Sequence, residues 1–315
     1  MLIICIRVFE RVTRKINFLL KEMKKLSDKE LLSVETNEGR LNIMINKNDK
    51  LDIVILGGQS NAEGYGIGDV SEEYSPDESV YLLTDNSVKG YLIDDEGNNY
   101  LKIDESERPY FTLAREGEGP FGKVGKLPLF FAKEYTRRGL LKNGRKLLIV
   151  AAAVGGTGFS RAEWNVGCVL YRRLINLTRR ALEMNCENRV VAFLWHQGEH
   201  DAFENPLFTP TERYRKHYYN LRSFMERTYA ELNVSVPFIA GGFCDEWYYK
   251  NKKSCDAVLK AIKDVCHDVN GAFVSTHGLL SNNQKMGNGD DIHFCRESLH
   301  ILGKHYFNSY LELIK

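Results

Sequence analysis

The sequence predicts an α/β protein with a parallel sheet covered by helices on both faces. Three observations carry this expectation. Short apolar runs of strand length recur from Leu51 onward. They lack polar–apolar alternation, as strands buried on both faces do. Stretches with apolar residues at helical spacing lie between them, which implies right-handed crossovers and three layers.

The first run, LDIVIL at 51–56, ends in Gly57-Gly58. The second, KLLIVAAAV at 146–154, ends in Gly155-Gly156. RVVAFLW at 189–195 runs into HQGE, VPFIAGGF at 236–243 into an aromatic loop, and GAFVST at 271–276 is the fifth. Leu170, Leu174, Leu177, Ala181 and Met184 form one helical stripe. Tyr214, Tyr218, Leu221 and Met225 form a second, and Val258, Ile262 and Val265 a third. Leu299, Leu302, Tyr306 and Tyr310 form the last. Residues 80–120 break this rhythm with alternating residues and Asn, Asp and Gly turn signals, so β-hairpins are expected before a helix near Leu127 to Arg138.

At the N-terminus, Val8, Val12, Ile16, Leu19 and Met23 recur at helical spacing within a basic stretch. A helical extension over 1–45 is expected, docked on the protein's own body or of little consequence rather than touching a membrane surface or a partner, with one domain over 46–315. The apolar start is interrupted by Arg7 and Glu10 and has no small-residue cleavage site, so no secretory signal is read and a cytoplasmic location is expected.

Composition narrows the function. The 315 residues carry 43 Lys plus Arg against 42 Asp plus Glu, a formal charge of +1, without the basic excess of a nucleic-acid binder. With 43% hydrophobic and 27% charged residues the chain can bury a core. No apolar run approaches the ~20 residues of a membrane span. Seven cysteines, an odd number with no CxxC pair, argue for free thiols rather than a disulfide framework or a structural zinc site.

Ligands of open α/β sheets bind beyond the carboxyl ends of the strands. Three segments there, GGQSNAEGYG, GGTGFSRAEW and HQGEHDA, should converge. Ser60 lies in a Gly-rich turn directly after the first run; it is either a nucleophile or a turn and cap residue. The segment does not match G-x-x-x-x-G-K-[ST] or a properly phased G-x-G-x-x-G, so a nucleotide site is weakly supported. A serine hydroxyl needs a base, and GDDIHF at 289–294 offers His293 with Asp290 three residues earlier. Asp291 is the adjacent competitor and points elsewhere if the turn is helical. Glu199 is an alternative partner for His293. Donors for a tetrahedral oxyanion are the Ser60 N–H, the N–H groups of Gly155 and Gly156, and the side-chain amide of Gln197. Gln59 and Asn61 beside Ser60, with Trp164, His196, Glu199 and Trp247 near strand ends, are candidate substrate contacts; core packing is the competing role for the aromatics. No set of residues has metal-ligand spacing.

Four blocks stand in order: GQSNAEG at 58–64, AVGGTGFSRAEW at 153–164, WHQGEHDA at 195–202 and DDIHFCRESLHILGKHY at 290–306. On them the chain resembles the SGNH/GDSL hydrolase superfamily, within it the sialate O-acetylesterase-like carbohydrate esterases that include family 6 acetylxylan esterases. The resemblance spans Leu51 to the C-terminus. It implies a flavodoxin-like three-layer α/β/α sandwich around a five-stranded parallel sheet. By similarity, Ser60 is the nucleophile, His293 the base and Asp290 its orienting acid. Ser60 N–H, a glycine of the Gly155-Gly156 pair and Gln197 form the oxyanion hole. The implied activity is cofactor-free and metal-free removal of O-acetyl groups from carbohydrates, with a small-molecule or oligosaccharide acetyl ester as partner. Residues 1–45 fall outside the resemblance, and the family varies after the GGTG turn, at Phe159-Ser160, so the acceptor side of the pocket does not carry over. The rivals are a short-chain lipid, thioester or general esterase on the same scaffold, and a carbohydrate-binding protein without catalysis.

Overall fold

A seven-stranded sheet organises the protein. The computed structural model describes residues 45–93, 95–97, 99–203 and 207–315; the expected N-terminal helix lies outside them. Residues Lys47–Lys315 form one unit. The five expected runs are strands β1 (Lys50–Gly58), β8 (Arg145–Ala151), β9 (Arg189–His196), β10 (Phe238–Gly241) and β11 (Ala272–Val274). All five lie parallel. Their spatial order, β11-β10-β9-β1-β8, is the doubly wound arrangement in which the chain reverses direction at β1.

The five-stranded expectation is corrected by the segment after β1. Strand β2 (Val80–Thr84) pairs parallel with β8, and β5 (Tyr110–Leu113) closes that edge antiparallel to β2. Val80, Tyr81, Leu82 and Leu83 are all buried, so this stretch extends the core instead of forming a surface hairpin. The expected hairpins are smaller. One joins β3 (Val88–Ile93) to β4 (Asn99–Ile103), and the other joins β6 (Gly117–Gly119) to β7 (Gly122–Val124).

Helices cover both faces. Helix α2 (Leu127–Arg137) packs with α9 (Arg296–Leu313) on one side. There Phe130, Phe131, Leu299, Leu302 and Tyr306 join Val54, Leu56 and Ile149 in one apolar cluster. On the other side lie α3 (Val169–Glu183), α5 (Pro210–Leu232) and α7 (Lys252–Asp268). Trp164, Trp195 and Phe224 pack together on that face, with ring centroids 4.8–5.8 Å apart. Helix α5 starts at a capping box in which Thr209 and Glu212 satisfy each other's backbone N–H, and it stops where Asn233 adopts a left-handed conformation. Its stripe is partly misread by periodicity: Leu221 and Met225 are buried, but Tyr214 and Tyr218 bond Asp264 and Asp268 of α7. Among the described residues, no helix is long and apolar enough to cross a membrane. The described cysteines are all free, and Cys244, Cys255, Cys266 and Cys295 are buried.

Candidate active site

Strand β1 delivers its last residues to the crevice between β8 and β9. At Gly58 the backbone takes φ +130°, and a β-carbon there would meet the His196 carbonyl at 2.1 Å, so only glycine fits. The Gln59 N–H donates to that carbonyl (2.9 Å), and the chain then turns into the single helical turn α1 (Ser60–Glu63). On the β8 side, the Ala152 N–H bonds Leu56 O and the Val154 N–H bonds Gly58 O.

Ser60, at 5% exposure, lies with its Oγ 2.9 Å from His293 Nε2. His293 Nδ1 lies 2.9 and 3.0 Å from the two oxygens of Asp290. Burial pushes the Asp290 carboxyl up, but hydrogen bonds from His293 and Asn282 outweigh it and hold the group below the ordinary value. Asp291 turns away to Lys250 Nζ (2.7 Å). The other candidate partner, Glu199, is bound to Asn61 and not to His293. The three groups can pass a proton from hydroxyl to imidazole while the carboxylate fixes the ring tautomer.

Asn61 joins the two halves of this cluster. It is fully buried, with its polar atoms bonded inside the protein. Its Nδ2 donates to Glu199 Oε1 (2.7 Å) and to Ile292 O (3.1 Å), and its Oδ1 accepts the Phe294 N–H (3.1 Å). The residues on either side of His293 are thereby tied to the residue after Ser60. Gln59 is likewise buried; its Oε1 accepts the His200 N–H (3.2 Å) and, more loosely, the Gly198 N–H (3.4 Å).

Of the expected oxyanion donors, the Gly155 N–H is bonded within the protein, while the Ser60 and Gly156 N–H groups have no acceptor among the described residues. Gln197 Nε2 donates to the buried Asp201 carboxylate (3.0 Å), with Gln59 Oε1 and Thr157 O at 3.4 Å. The bond to Asp201 takes one of the two amide N–H groups. The Gly155 N–H donates to Glu63 Oε2 (2.7 Å). Gly156 turns its carbonyl to the Tyr91 hydroxyl (3.1 Å) and to Arg161. The Ser60 N–H has no acceptor among the described residues, as the first amide of a helical turn.

The remaining candidates are wall and core. Trp164 is fully buried, donates from Nε1 to Thr157 Oγ1 (2.8 Å) and meets Trp195 edge-on, so it supports the site from the core and lines no opening. Trp247 packs edge-on against Phe243 and is also buried. His196 is 1% exposed. Tyr306 gives its own proton to Trp195 O (2.8 Å), so His196 Nδ1 is the donor in their 2.9 Å bond. Burial pushes the His196 imidazole down to about 3, which keeps it neutral. Glu199 is fully buried, and its desolvation holds the carboxyl above the ordinary value.

Three contributors are missed by sequence reasoning. Asn282 Nδ2 donates to Asp290 Oδ2 (2.9 Å) and to Tyr65 O (2.9 Å). Glu63 holds Gly155. Tyr65 stacks on the His293 ring, centroids 5.1 Å apart and planes 20° apart. The available signal for Tyr65 and Glu63 is only their nearness to Ser60 in the chain; Asn282 follows the capping serine of α8 (Asn282–Met286) and carries no motif. Among the described residues no group of three or more His, Cys, Asp or Glu side chains is arranged to hold a metal ion. A cavity of about 450 Å³ opens elsewhere, between Asp85, Glu105 and Arg172, and none of the Ser60 cluster lines it.

The profile of the carbohydrate esterase family of sialic acid-specific acetylesterases matches residues 50–312. The chain belongs to this family. Among family relatives, it is 22% identical over 166 residues to the probable 9-O-acetyl-N-acetylneuraminic acid deacetylase of Escherichia coli (strain K12). That match covers 47% of this chain and 49% of the relative, so the chain spans about half the length of the curated relative it matches. The fold resembles the crystal structure of NanS with a TM-score of 0.64 at 17% identity, covering 86% of this chain and 99% of that one. It also resembles XAC1771, a carbohydrate acetylesterase from Xanthomonas citri, with a TM-score of 0.54 at 16% identity, covering 83% and 56%. At these identities the likeness concerns the fold, a central and mostly parallel sheet between helical layers.

Proposed function

We propose that this acetylesterase-family chain is a serine esterase that removes O-acetyl groups from carbohydrates through Ser60, His293 and Asp290. The single observation behind this reading is the unbroken line of contacts from Ser60 Oγ to His293 Nε2 and from His293 Nδ1 to Asp290. Family membership supports the acetyl ester as substrate class. The name of the Escherichia coli relative favours an O-acetylated sialic acid over an acetylated xylan fragment.

In the proposed reaction, Ser60 Oγ attacks the acetyl carbonyl carbon and its proton moves to His293 Nε2. The carbonyl electron pair goes onto the oxygen, toward the Ser60 N–H. Collapse breaks the bond to the sugar oxygen, which takes the proton from His293. The acetyl group is then on Ser60. Water gives a proton to the same imidazole, attacks the acyl carbon, and acetate leaves as Ser60 regains its proton. Asp290 stays ionised and balances the imidazolium.

Acetate release measured over a panel of acetylated sialic acids, xylo-oligosaccharides and p-nitrophenyl esters tests this. Ser60→Ala should reduce turnover by at least ~10⁴ with the fold intact. Undiminished release by that variant would remove Ser60 from the chemistry. A preference for acyl chains much longer than acetyl would favour a general esterase. Tight sugar binding without turnover would favour a binding protein.

A further inference from the structure

The geometry points to Tyr65 as a further catalytic residue: we propose that its phenol O–H donates a hydrogen bond to the acetyl carbonyl oxygen as that oxygen becomes an oxyanion. This rests on the deacetylation reading above and adds a residue to it.

Two contacts fix where Tyr65 stands. Its ring lies flat on His293, the group within hydrogen-bond reach of Ser60. Its hydroxyl lies against Gly155, where a methyl group on the glycine would come within 3.1 Å of the Tyr65 oxygen. The Gly155 N–H is held by Glu63, the last residue of the helical turn that Ser60 opens. The ring therefore spans the two walls of the site, with the base at one end and the Gly155 turn at the other. Any residue larger than glycine at 155 would push the phenol away.

The backbone holds this placement. Tyr65 O accepts from Asn282 Nδ2 (2.9 Å), Gly66 O accepts the Gly125 N–H (2.8 Å), and the Ile67 N–H donates to Asn282 Oδ1 (3.0 Å). The same Asn282 holds Asp290, so the phenol and the triad share one anchor. Such preorganisation is what an oxyanion donor needs, because it avoids reorganisation during the reaction.

The Tyr65 hydroxyl also has a proton to give: it bonds no other described residue, whereas the Gly155 N–H beside it is held by Glu63. Tyr65 is 44% exposed, so a substrate can reach it. Burial of the phenol and the nearby Glu63 charge push its ionisation above the ordinary value, so the proton stays available for donation. In the step itself, the Ser60 Oγ–carbon bond forms, the carbonyl pair moves to oxygen, and the Ser60 proton goes to His293. Tyr65 keeps its proton and shares it with the oxyanion.

Tyr65→Phe in the full chain tests this, because it keeps the ring on His293 and removes only an oxygen that holds no protein partner. We expect kcat to fall ~10²-fold, the usual loss for one oxyanion donor, with KM within about twofold. The loss should be equal on p-nitrophenyl acetate, which has no sugar, and on an acetylated sugar. The acid limb of the kcat/KM–pH profile should not move. A kcat on p-nitrophenyl acetate within about twofold of wild type would overturn the proposal. So would a loss confined to sugar substrates, which marks a sugar contact, or a displaced acid limb, which marks an effect through His293. If wild type turns over acetyl esters, Ser60→Ala does not, and Tyr65→Phe matches wild type, only Tyr65 is wrong. If wild type is inert toward every acetyl ester, the deacetylase reading falls and this proposal with it.

Discussion

The two ends of β1 both bury charge, and they treat it in opposite ways. At the start of the strand, Asp52 is fully buried and fully bonded. Its Oδ1 accepts from Arg145 Nε and Arg189 Nε, each at 2.7 Å, and its Oδ2 from the Tyr135 hydroxyl at 2.9 Å. Past the other end, Glu199 Oε2, His196 Nε2 and Gln197 Oε1 are buried without a hydrogen-bond partner among the described residues. Burying an unpaired polar group costs ~1–3 kcal/mol, so the second arrangement is the expensive one. Proteins retain such groups mainly where a site needs them. The Asp52 end holds strands together, and the Ser60 end leaves buried polar groups unpaired around the proposed triad. The following variants separate the two roles.

The largest effect belongs to the site end. Asp290→Asn keeps shape but replaces a carboxylate that, in the proposed mechanism, fixes the His293 tautomer and balances its charge. We expect kcat to drop by ~10³–10⁴ with the melting temperature little changed. Steady-state kinetics beside a thermal melt read both, and a loss below tenfold would break the asymmetry from this side.

The mirror experiment is Asp52→Ala. It strands the Arg145 guanidinium, which is mostly buried, whereas Arg189 is exposed enough to rehydrate. A stability loss of about 3 kcal/mol is expected, at the low end for breaking a buried pair, with kcat per folded molecule unchanged. The sign with pH follows from the shift. Burial pushes the Asp52 carboxyl up, but the bonds from Arg189, Tyr135 and Arg145 outweigh it and leave it below the ordinary value. Its contribution is therefore complete above about pH 4 and is lost as pH falls through the lower folded value. Urea melts from pH 7 down to 3 should show the wild type and variant converging, and parallel curves would contradict the assignment.

Asn61→Ala belongs to both categories, since Asn61 is buried like the core and bonded to the site. It would leave the Phe294 N–H and Glu199 Oε1 unpaired and free the segment around His293. A stability loss of about 2 kcal/mol and a fall in kcat of ~10-fold or more should appear together. Loss of stability alone would place Asn61 with Asp52.

The same contrast explains what the sequence reveals. Ser60, Asp290 and His293 are legible because each sits in a local pattern, a Gly-rich turn or a three-residue spacing, that survives without tertiary information. The five apolar runs are legible because burial on both faces leaves an unbroken apolar string. Strand β2 is not, because VYLLT is followed by turn residues and reads as the first arm of a hairpin, while its partner β8 lies about 65 residues on. The direction of the Gln197 amide is not legible either. It is set by Asp201, four residues later and buried by a different set of neighbours. Trp164 and Trp247 look like pocket aromatics because strand-end loops are where pockets form, yet each ring finds a neighbouring aromatic first. Side-chain direction is a property of packing, and a periodicity or spacing argument does not contain it.

The smallest effect is also the finest test of the comparison. Glu199→Gln keeps an oxygen able to accept from Asn61 Nδ2 and replaces the unbonded Oε2 by an uncharged amide. Desolvation holds the Glu199 carboxyl above its ordinary value, so the folded protein binds its proton more tightly than the unfolded chain does. Wild type therefore loses stability as pH rises from the ordinary value, about 4.3, through the higher folded value, and the glutamine variant does not. Each unit of such a shift is worth ~1.4 kcal/mol, so the variant should equal or exceed wild type in stability at pH 8 and lose that advantage toward pH 4. Chemical denaturation at the two pH values measures it. A variant less stable than wild type at pH 8 would mean that the carboxylate at the site end is as well served as Asp52, and the contrast between the two ends of β1 would not hold.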